Sequence, residues 1–260
     1  GMAVIKRTVL AYLLLTLAVL AGGCGGEENG AADAQPARLD FFAMDTAIAL
    51  TAYGAGAELA LQDTEQLLYA YERKFSAVRP ESEVSRINAA GGASEVDPEL
   101  LTLLAAAVEV SERSGGAFDI TVYPLMRLWG FGDQPALPEP DNIAALLPLV
   151  DYRGVTVDGD TVSLRPGQML DLGAIAKGYA GQKAAEHLAE LGIESALLSL
   201  GGNVQLLGTR PDGNDWRVAI RDPLDPDGEQ YVGLISAHDT AVVTSGGDQR
   251  YFEQDGKRYH

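Results

Sequence analysis

The stretch LDLGAIAKGYA, residues 170–180, carries more information about fold and function than any other part of the chain. An apolar run ends in the carboxylate of Asp171, a glycine-led turn follows, and Lys177 lies at the start of a predicted helix over residues 174–191. The first N–H groups of a helix are unpaired and its dipole is positive there, so this end attracts anions. The pattern indicates a site for a phosphate-bearing ligand, together with a metal ion held near Asp171. The structural alternatives are that Asp171 only caps the helix and that Lys177 is a solvated surface lysine.

On either side of this stretch, helical and strand patterns fall into separate runs. Hydrophobic periodicity predicts helices over residues 59–75, 98–114 and 174–191, and a short segment over 124–129 that runs into a Pro-rich loop, 132–141. Strands are predicted over residues 41–53, 195–200, 203–207, 216–220, 232–236 and 240–245. Hairpins are predicted over residues 155–164 and 251–259, and a long polar loop over 222–230. This organisation predicts an α+β fold with mixed or antiparallel sheets and flanking helices, rather than alternating βαβ units.

The N-terminal residues 1–23 have the features of an export signal. Lys6 and Arg7 precede an apolar run over residues 9–20, which is too short and wrongly flanked for a stable membrane span. Small residues then lead to Cys24, as at the cleavage and lipidation site of bacterial lipoproteins, although a plain secretory signal with an incidental cysteine is the alternative. Residues 24–37 are predicted to be a flexible tether, and residues 38–260 to form the folded domain.

Charge and cysteine content exclude some classes of protein. Without residues 1–23, 17 basic and 37 acidic residues remain, which gives a net charge of −20. Such a surface repels nucleic acid, so we expect no nucleic-acid partner. It also repels anionic ligands at long range, so a phosphate site needs a local lysine, a helix end or a metal. Since Cys24 is the only cysteine, the fold has no intramolecular disulfide.

Several short segments, in order along the chain, resemble the ApbE family of flavin transferases, which use FAD to place FMN on proteins. They are Met44-Asp45-Thr46 on the first predicted strand, Phe75-Ser76, SEVSRIN (82–88), GAFDIT (116–121), residues 170–180, GGN (201–203), TSG (244–246) and GKRY (256–259). Each segment is modest alone, but the ordered set is specific and covers the chain from about residue 40. The resemblance implies an ApbE-like, T-fold-like architecture.

The resemblance also implies roles for seven residues. Met44 would contact the flavin, and Ala117, Phe118 and Asp119 would line the FAD site. Asp171 and Lys177 would contact FAD and act in catalysis, and Ala174 would offer its backbone carbonyl to Mg²⁺. Mg²⁺ prefers oxygen ligands and commonly bridges phosphates with few protein ligands, which agrees with this assignment. Without the resemblance, Met44 and Phe118 have the simpler interpretation of core residues, and Gly201-Gly202 that of a turn.

The resemblance further implies Mg²⁺-dependent transfer of FMN to a threonine of an acceptor flavoprotein in a membrane redox complex, with release of AMP. The location would be the periplasm or the outer face of the cytoplasmic membrane, with Cys24 as the lipid anchor. The alternatives are an FAD pyrophosphatase, in which water replaces threonine, and a flavin-binding protein without turnover.

Two features depart from the family pattern. Val78 stands where relatives have an aromatic ring near the flavin. His260 occupies the place just before the family's histidine, and a later Asp and Thr that bind metal would follow beyond it. We therefore expect that the sequence is C-terminally incomplete, with one acid–base group and most of the metal ligands beyond residue 260.

Overall fold

The computed structural model describes residues 35–131, 133–225, 230–247 and 251–260. The predicted export signal, Cys24 and most of the predicted tether lie outside these ranges, as do residues 226–229 of the predicted polar loop. Among the helices of the described ranges, none combines the length and the apolar character needed to cross a membrane.

The described residues form an α+β structure. Its helices are α1 (Ala57–Phe75), α2 (Glu83–Ala90), α3 (Pro98–Arg113), α4 (Tyr123–Trp129), α5 (Pro140–Leu146) and α6 (Gly173–Glu190). Its strands are β1 (Ala37–Ala43), β2 (Thr46–Tyr53), β3 (Ser94–Glu95), β4 (Thr156–Asp158), β5 (Thr161–Ser163), β6 (Ser195–Leu200), β7 (Asn203–Leu207), β8 (Trp216–Arg221), β9 (Tyr231–Ala237), β10 (Ala241–Val243), β11 (Phe252–Gln254) and β12 (Lys257–Tyr259).

A five-stranded sheet in the order β1-β2-β6-β7-β10 is the centre of the fold. Its register pairs Ile48 with Leu200, Leu200 with Asn203, and Asn203 with Val243. The smaller sheets are β3-β5-β4, β8-β9 and β11-β12, and every described pairing is antiparallel. The predicted α+β class with antiparallel sheets is confirmed.

The prediction of one strand over residues 41–53 is wrong, because the segment is a hairpin. β1 and β2 pair from Ala43 opposite Thr46, and the two residues between them form the turn. Met44 and Asp45 have φ angles of 51° and 58°, as in the type I′ turns that suit the twist of a hairpin. Met44 therefore lies in a turn and not on a strand. Further differences are α2 and the short β3, which were not predicted, and α5, which begins inside the predicted loop 132–141.

Helices α1 and α6 cover one face of the large sheet. The buried face of α6 consists largely of small residues, Ala176, Ala180, Gly181 and Ala184. A Cβ atom placed on Gly181 would lie 3.6 Å from the Cβ of Gln205, so the helix backbone approaches the sheet closely. This packing sets the distance between the beginning of α6 and one end of the sheet.

A half-buried polar cluster joins α1, α3 and α6. The Glu99 carboxylate accepts hydrogen bonds from the Tyr71 hydroxyl at 2.8 Å, from the Lys74 ammonium at 2.9 Å and from the Tyr179 hydroxyl at 3.4 Å. The rings of Tyr71 and Tyr179 also meet edge to face, with centroids 5.9 Å apart. One carboxylate thus connects three helices.

We expect Glu99→Ala to lower the free energy of unfolding by about 1–3 kcal/mol, because it leaves two tyrosine hydroxyls without their acceptor and leaves Lys74 with only its Asp97 partner, 3.1 Å away. Equilibrium unfolding in urea measures the effect. The matched control is Glu109→Ala on the same helix, because Glu109 forms only an exposed ion pair with Arg113 at 3.5 Å. That variant should stay within about 0.5 kcal/mol of wild type. Equal losses in the two variants would contradict a special role for Glu99.

Candidate active site

The beginning of α6 is organised around the carboxylate of Asp171. Its Oδ1 accepts a hydrogen bond from the Gly173 N–H, the first of the helix, at 2.7 Å. A Cβ atom on Gly173 would lie only 2.9 Å from that oxygen, so the glycine permits this close approach. The bond satisfies one N–H at the helix start, although the N-cap residue is Leu172, whose side chain makes no capping bond, and Asp171 lies one residue before it. The carboxylate places a negative charge where the helix dipole is positive.

Hydrogen bonds from two other segments of the chain fix the backbone around Asp171. The Asn88 side chain donates to the Leu170 carbonyl at 2.9 Å and accepts from the Leu170 N–H at 2.6 Å. The Asp171 N–H donates to the Ile120 carbonyl at 2.8 Å. Asn88 had no predicted role of its own, because its partner lies 82 residues away and no local pattern connects the two. Asn88 is a positioning residue for the segment that carries Asp171.

Burial raises the pKa of the Asp171 carboxyl, while the Gly173 N–H and the positive charge of Lys177 oppose the rise. Lys177, itself half-buried, is therefore close enough to act on Asp171 electrostatically. The pair combines a carboxylate that is a stronger base than usual with a cation, both at a helix N-terminus.

Ala174 is exposed and is the second residue of α6. In an α-helix its carbonyl is directed at the N–H of residue 178, which uses one of its two lone pairs. The remaining lone pair is the one that the predicted metal contact would use.

The loop that carries Ala117, Phe118 and Asp119 is connected to this helix start through the Ile120 carbonyl. Ala117 is exposed, and Phe118 is half-buried against the core. The Asp119 carboxylate accepts from the Thr121 N–H at 2.8 Å, the Thr121 hydroxyl at 2.6 Å and the Tyr152 N–H at 2.8 Å. Asp119 thus shapes the loop with its own side chain, while Ala117 offers the loop's open surface.

Two turns of the large sheet and the end of β10 meet where the strands end, on one side of that sheet. Gly201 has a φ of 66°, and a Cβ atom there would lie 2.3 Å from Thr46 Oγ1, so the 201–202 turn fits closely beside the Met44-Asp45 turn. The Thr244 N–H donates to the Gly202 carbonyl at 2.8 Å. Met44 itself is half-buried and packs against the core.

The first turns of α6 lie near these same strand ends. The Nδ2 atom of Asn203, the first residue of β7, lies 3.7 Å from the position of a Cβ atom on Gly178. Gly178 directly follows Lys177, so the structure brings the Asp171–Lys177 pair and the two sheet turns to one end of the domain. Asn203 was quoted in the sequence only as part of a motif and received no role there.

The oxygen atoms at this site suit a magnesium ion that arrives with its substrate. Within the described ranges, no three His, Cys, Asp or Glu side chains come together as a metal site. The Ala174 carbonyl, in the first turn of α6, would supply only a small part of an octahedral shell. Mg²⁺ usually keeps several waters and takes further oxygens from phosphates, so this carbonyl fits an ion shared with a bound diphosphate.

The sequence profile of the ApbE family matches residues 44–260. A protein from Treponema pallidum named FAD:protein FMN transferase is 38% identical over 220 residues, which cover 77% of this chain and 60% of that protein. A protein of the same name from Klebsiella pneumoniae is 37% identical over 75% of this chain and 61% of its own length. The chain therefore spans about three-fifths of the length of these relatives.

Solved structures give the same answer. The crystal structure of the ApbE protein from Thermotoga maritima superposes with a TM-score of 0.82 at 31% identity, over 87% of this chain and 75% of that one. The apo form of the flavinyl transferase ApbE from Pseudomonas stutzeri gives a TM-score of 0.76 at 30% identity, over 87% and 73%. Sequence profile, relatives and fold agree, and the chain belongs to the ApbE family.

Proposed function

We propose that this protein is an Mg²⁺-dependent FAD:protein FMN transferase, which attaches FMN from FAD to a threonine of an acceptor protein and releases AMP. The observation that carries the proposal is the pairing of Asp171 and Lys177 at the start of α6, in a member of the ApbE family. A cation and a helix N-terminus are suited to a diphosphate, and a half-buried carboxylate is suited to take up a proton.

In the proposed reaction, the threonine hydroxyl attacks the phosphorus of the FMN half. The bond between this phosphorus and the bridging oxygen breaks, and AMP leaves with the electron pair. Asp171 takes the hydroxyl proton, because its raised pKa makes it a better base than an exposed aspartate. Lys177 stabilises the negative charge that grows on the phosphate oxygens. Ala117, Phe118 and Met44 contact the flavin nucleotide, and the loop shaped by Asp119 presents the first two.

The Ala174 carbonyl and the substrate diphosphate would hold Mg²⁺, which supplies charge neutralisation at the diphosphate when bound. We infer this division of ligands because no three His, Cys, Asp or Glu side chains come together as a metal site among the described residues. This division also implies that the protein binds the ion weakly when FAD is absent.

The second candidate is hydrolysis of FAD to FMN and AMP, and the third is flavin binding without turnover. To separate the three, the full-length protein is incubated with FAD, Mg²⁺ and an acceptor domain that carries the target threonine. Flavin fluorescence on the acceptor band of a denaturing gel supports transfer, and it should disappear with a Thr→Val acceptor. Free FMN without labelled acceptor indicates the hydrolase, and unchanged FAD indicates the binding protein. Either of these results would overturn the proposal.

We further propose that the acceptor is a flavoprotein of a membrane redox complex and that Cys24 holds the enzyme at the outer face of the cytoplasmic membrane. The sequence supports this through the apolar run over residues 9–20, followed by small residues and the only cysteine. Two or more acyl chains would give stable anchoring, because a single chain binds membranes only marginally.

Replacing Cys24 with serine should move the protein from the membrane pellet to the soluble fraction of disrupted cells, because the lipid chains have no other attachment point. Immunoblots of both fractions measure the shift. A Cys24→Ser protein that remains in the pellet like wild type would exclude the lipid anchor.

A further inference from the structure

Asn203 carries a buried oxygen atom that the described part of the chain leaves without a hydrogen bond. The residue is only 6% exposed, and its Oδ1 has no partner among the described residues. A buried acceptor without a partner costs free energy, so folded proteins rarely contain one without a reason. Asn203 is also the first residue after the Gly201-Gly202 turn, at the beginning of β7 and at the end of the sheet near which α6 begins.

The surroundings hold this amide in place. Asn203 pairs through its backbone with Leu200 on one side and Val243 on the other, so its strand cannot shift. Its Nδ2 lies 3.7 Å from the Cβ position of Gly178, which is exposed and has no side chain. The Nδ2 atom therefore packs against the second turn of α6, one residue after Lys177, and Oδ1 is the acceptor of this amide that is left unpaired.

We propose that Asn203 is a substrate-binding residue whose Oδ1 accepts a hydrogen bond from a hydroxyl or N–H group of the flavin nucleotide. This inference rests on the proposed function. A carbonyl oxygen can only accept, and ionised phosphates offer no proton. The partner is therefore a neutral donor close to the diphosphate, on either the FMN half or the AMP half. Lys177 would then recognise the charge of the diphosphate, and Asn203 would recognise a neutral donor group of the same nucleotide.

The test compares wild type with Asn203→Leu and Asn203→Ala, both of which remove the acceptor. Binding of FAD, FMN and AMP to the full-length protein is measured by calorimetry, and the melting temperature is measured without ligand. We expect the FAD dissociation constant to rise about 10-fold, as for the loss of one buried hydrogen bond. Binding of the product that carries the donor, FMN or AMP, should weaken in parallel, while binding of the other product stays unchanged. The melting temperature of Asn203→Leu should not fall, because the unpaired oxygen is gone.

Gln205→Leu is the matched control, since Gln205 lies on the same face of β7 and packs against Gly181. It should bind FAD like wild type. Unchanged FAD binding in both Asn203 variants would overturn the inference, and would mean that water satisfies the oxygen. A fall in melting temperature in both variants, larger than in the control, would also overturn it in favour of a structural role. If wild type itself binds no FAD, the proposed function fails, and the inference fails with it.

Discussion

Lys177→Met lowers kcat/KM for FAD by about 100-fold or more, which is the scale expected for loss of a group that stabilises charge in a transition state. Methionine keeps the length and apolar character of the lysine stem, so α6 should form as before. The lost charge acts on growing phosphate charge, in a protein whose overall negative charge offers a diphosphate little other attraction. FAD binding should weaken as well, because the same cation faces the ground-state diphosphate.

Steady-state kinetics with FAD and the acceptor measures this effect, and Lys183→Met on the same helix provides the control. Lys183 pairs with Glu186 at 2.7 Å and lies over the Tyr179 ring, 5.8 Å from its centroid. The control should keep its activity within about twofold, as expected for an exposed ion pair. If Lys177→Met is as active as Lys183→Met, then Lys177 is a surface residue and the proposed mechanism is wrong.

Asp171→Asn should remove most activity and at the same time stabilise the fold. The amide oxygen can still accept from the Gly173 N–H, so this hydrogen bond at the helix start survives the change. The proton acceptor is lost, and general-base catalysis commonly contributes about 100-fold or more. If Asp171 acted only as a cap, activity would remain close to wild type at saturating Mg²⁺.

The stabilising effect follows from the direction of the Asp171 pKa. Burial raises this pKa in the folded state, so the folded protein favours the neutral carboxyl. That preference stabilises the fold fully below the unfolded-state pKa and is lost as pH rises through the raised folded-state pKa. At neutral pH, wild type therefore contains a costly charge that Asp171→Asn lacks.

Thermal unfolding at a series of pH values tests this direction. The melting temperature of Asp171→Asn should lie above that of wild type at neutral pH, and the gap should narrow as the pH falls, because the wild-type carboxyl then also becomes neutral. A variant that is less stable than wild type at neutral pH would contradict the electrostatic account, whatever its activity.

Local patterns predicted most of the helices and strands that build the domain. The apolar spacing of α1, α3 and α6 is long and regular, and their predicted bounds agree with the structure within two residues. The β1–β2 hairpin was missed because Met44-Asp45 lacks the glycine or asparagine that usually marks a type I′ turn. Helix α2 has only 8 residues, too few for a clear periodicity.

The candidate site, too, has a part that local sequence patterns predict and a part that depends on contacts between distant segments. Asp171 and Lys177 belong to one helix start, so a short stretch of sequence predicted both. Their connection with Asn88, and the meeting of two sheet turns beneath α6, depend on the strand order β1-β2-β6-β7-β10. Strand order is set by contacts far apart in the chain, which local periodicity does not contain.

The small buried residues of α6 have a consequence for how this protein can change over generations. Ala180 and Ala184 are fully buried, and a Cβ atom on Gly181 would already contact Gln205, so a side chain larger than alanine at any of them would push the helix outward. Such a push would move Lys177 away from the sheet turns even though no functional group had been altered. Mutational drift should therefore be far more restricted along this face than along the exposed face of Lys183, where side chains can be exchanged without displacing the helix.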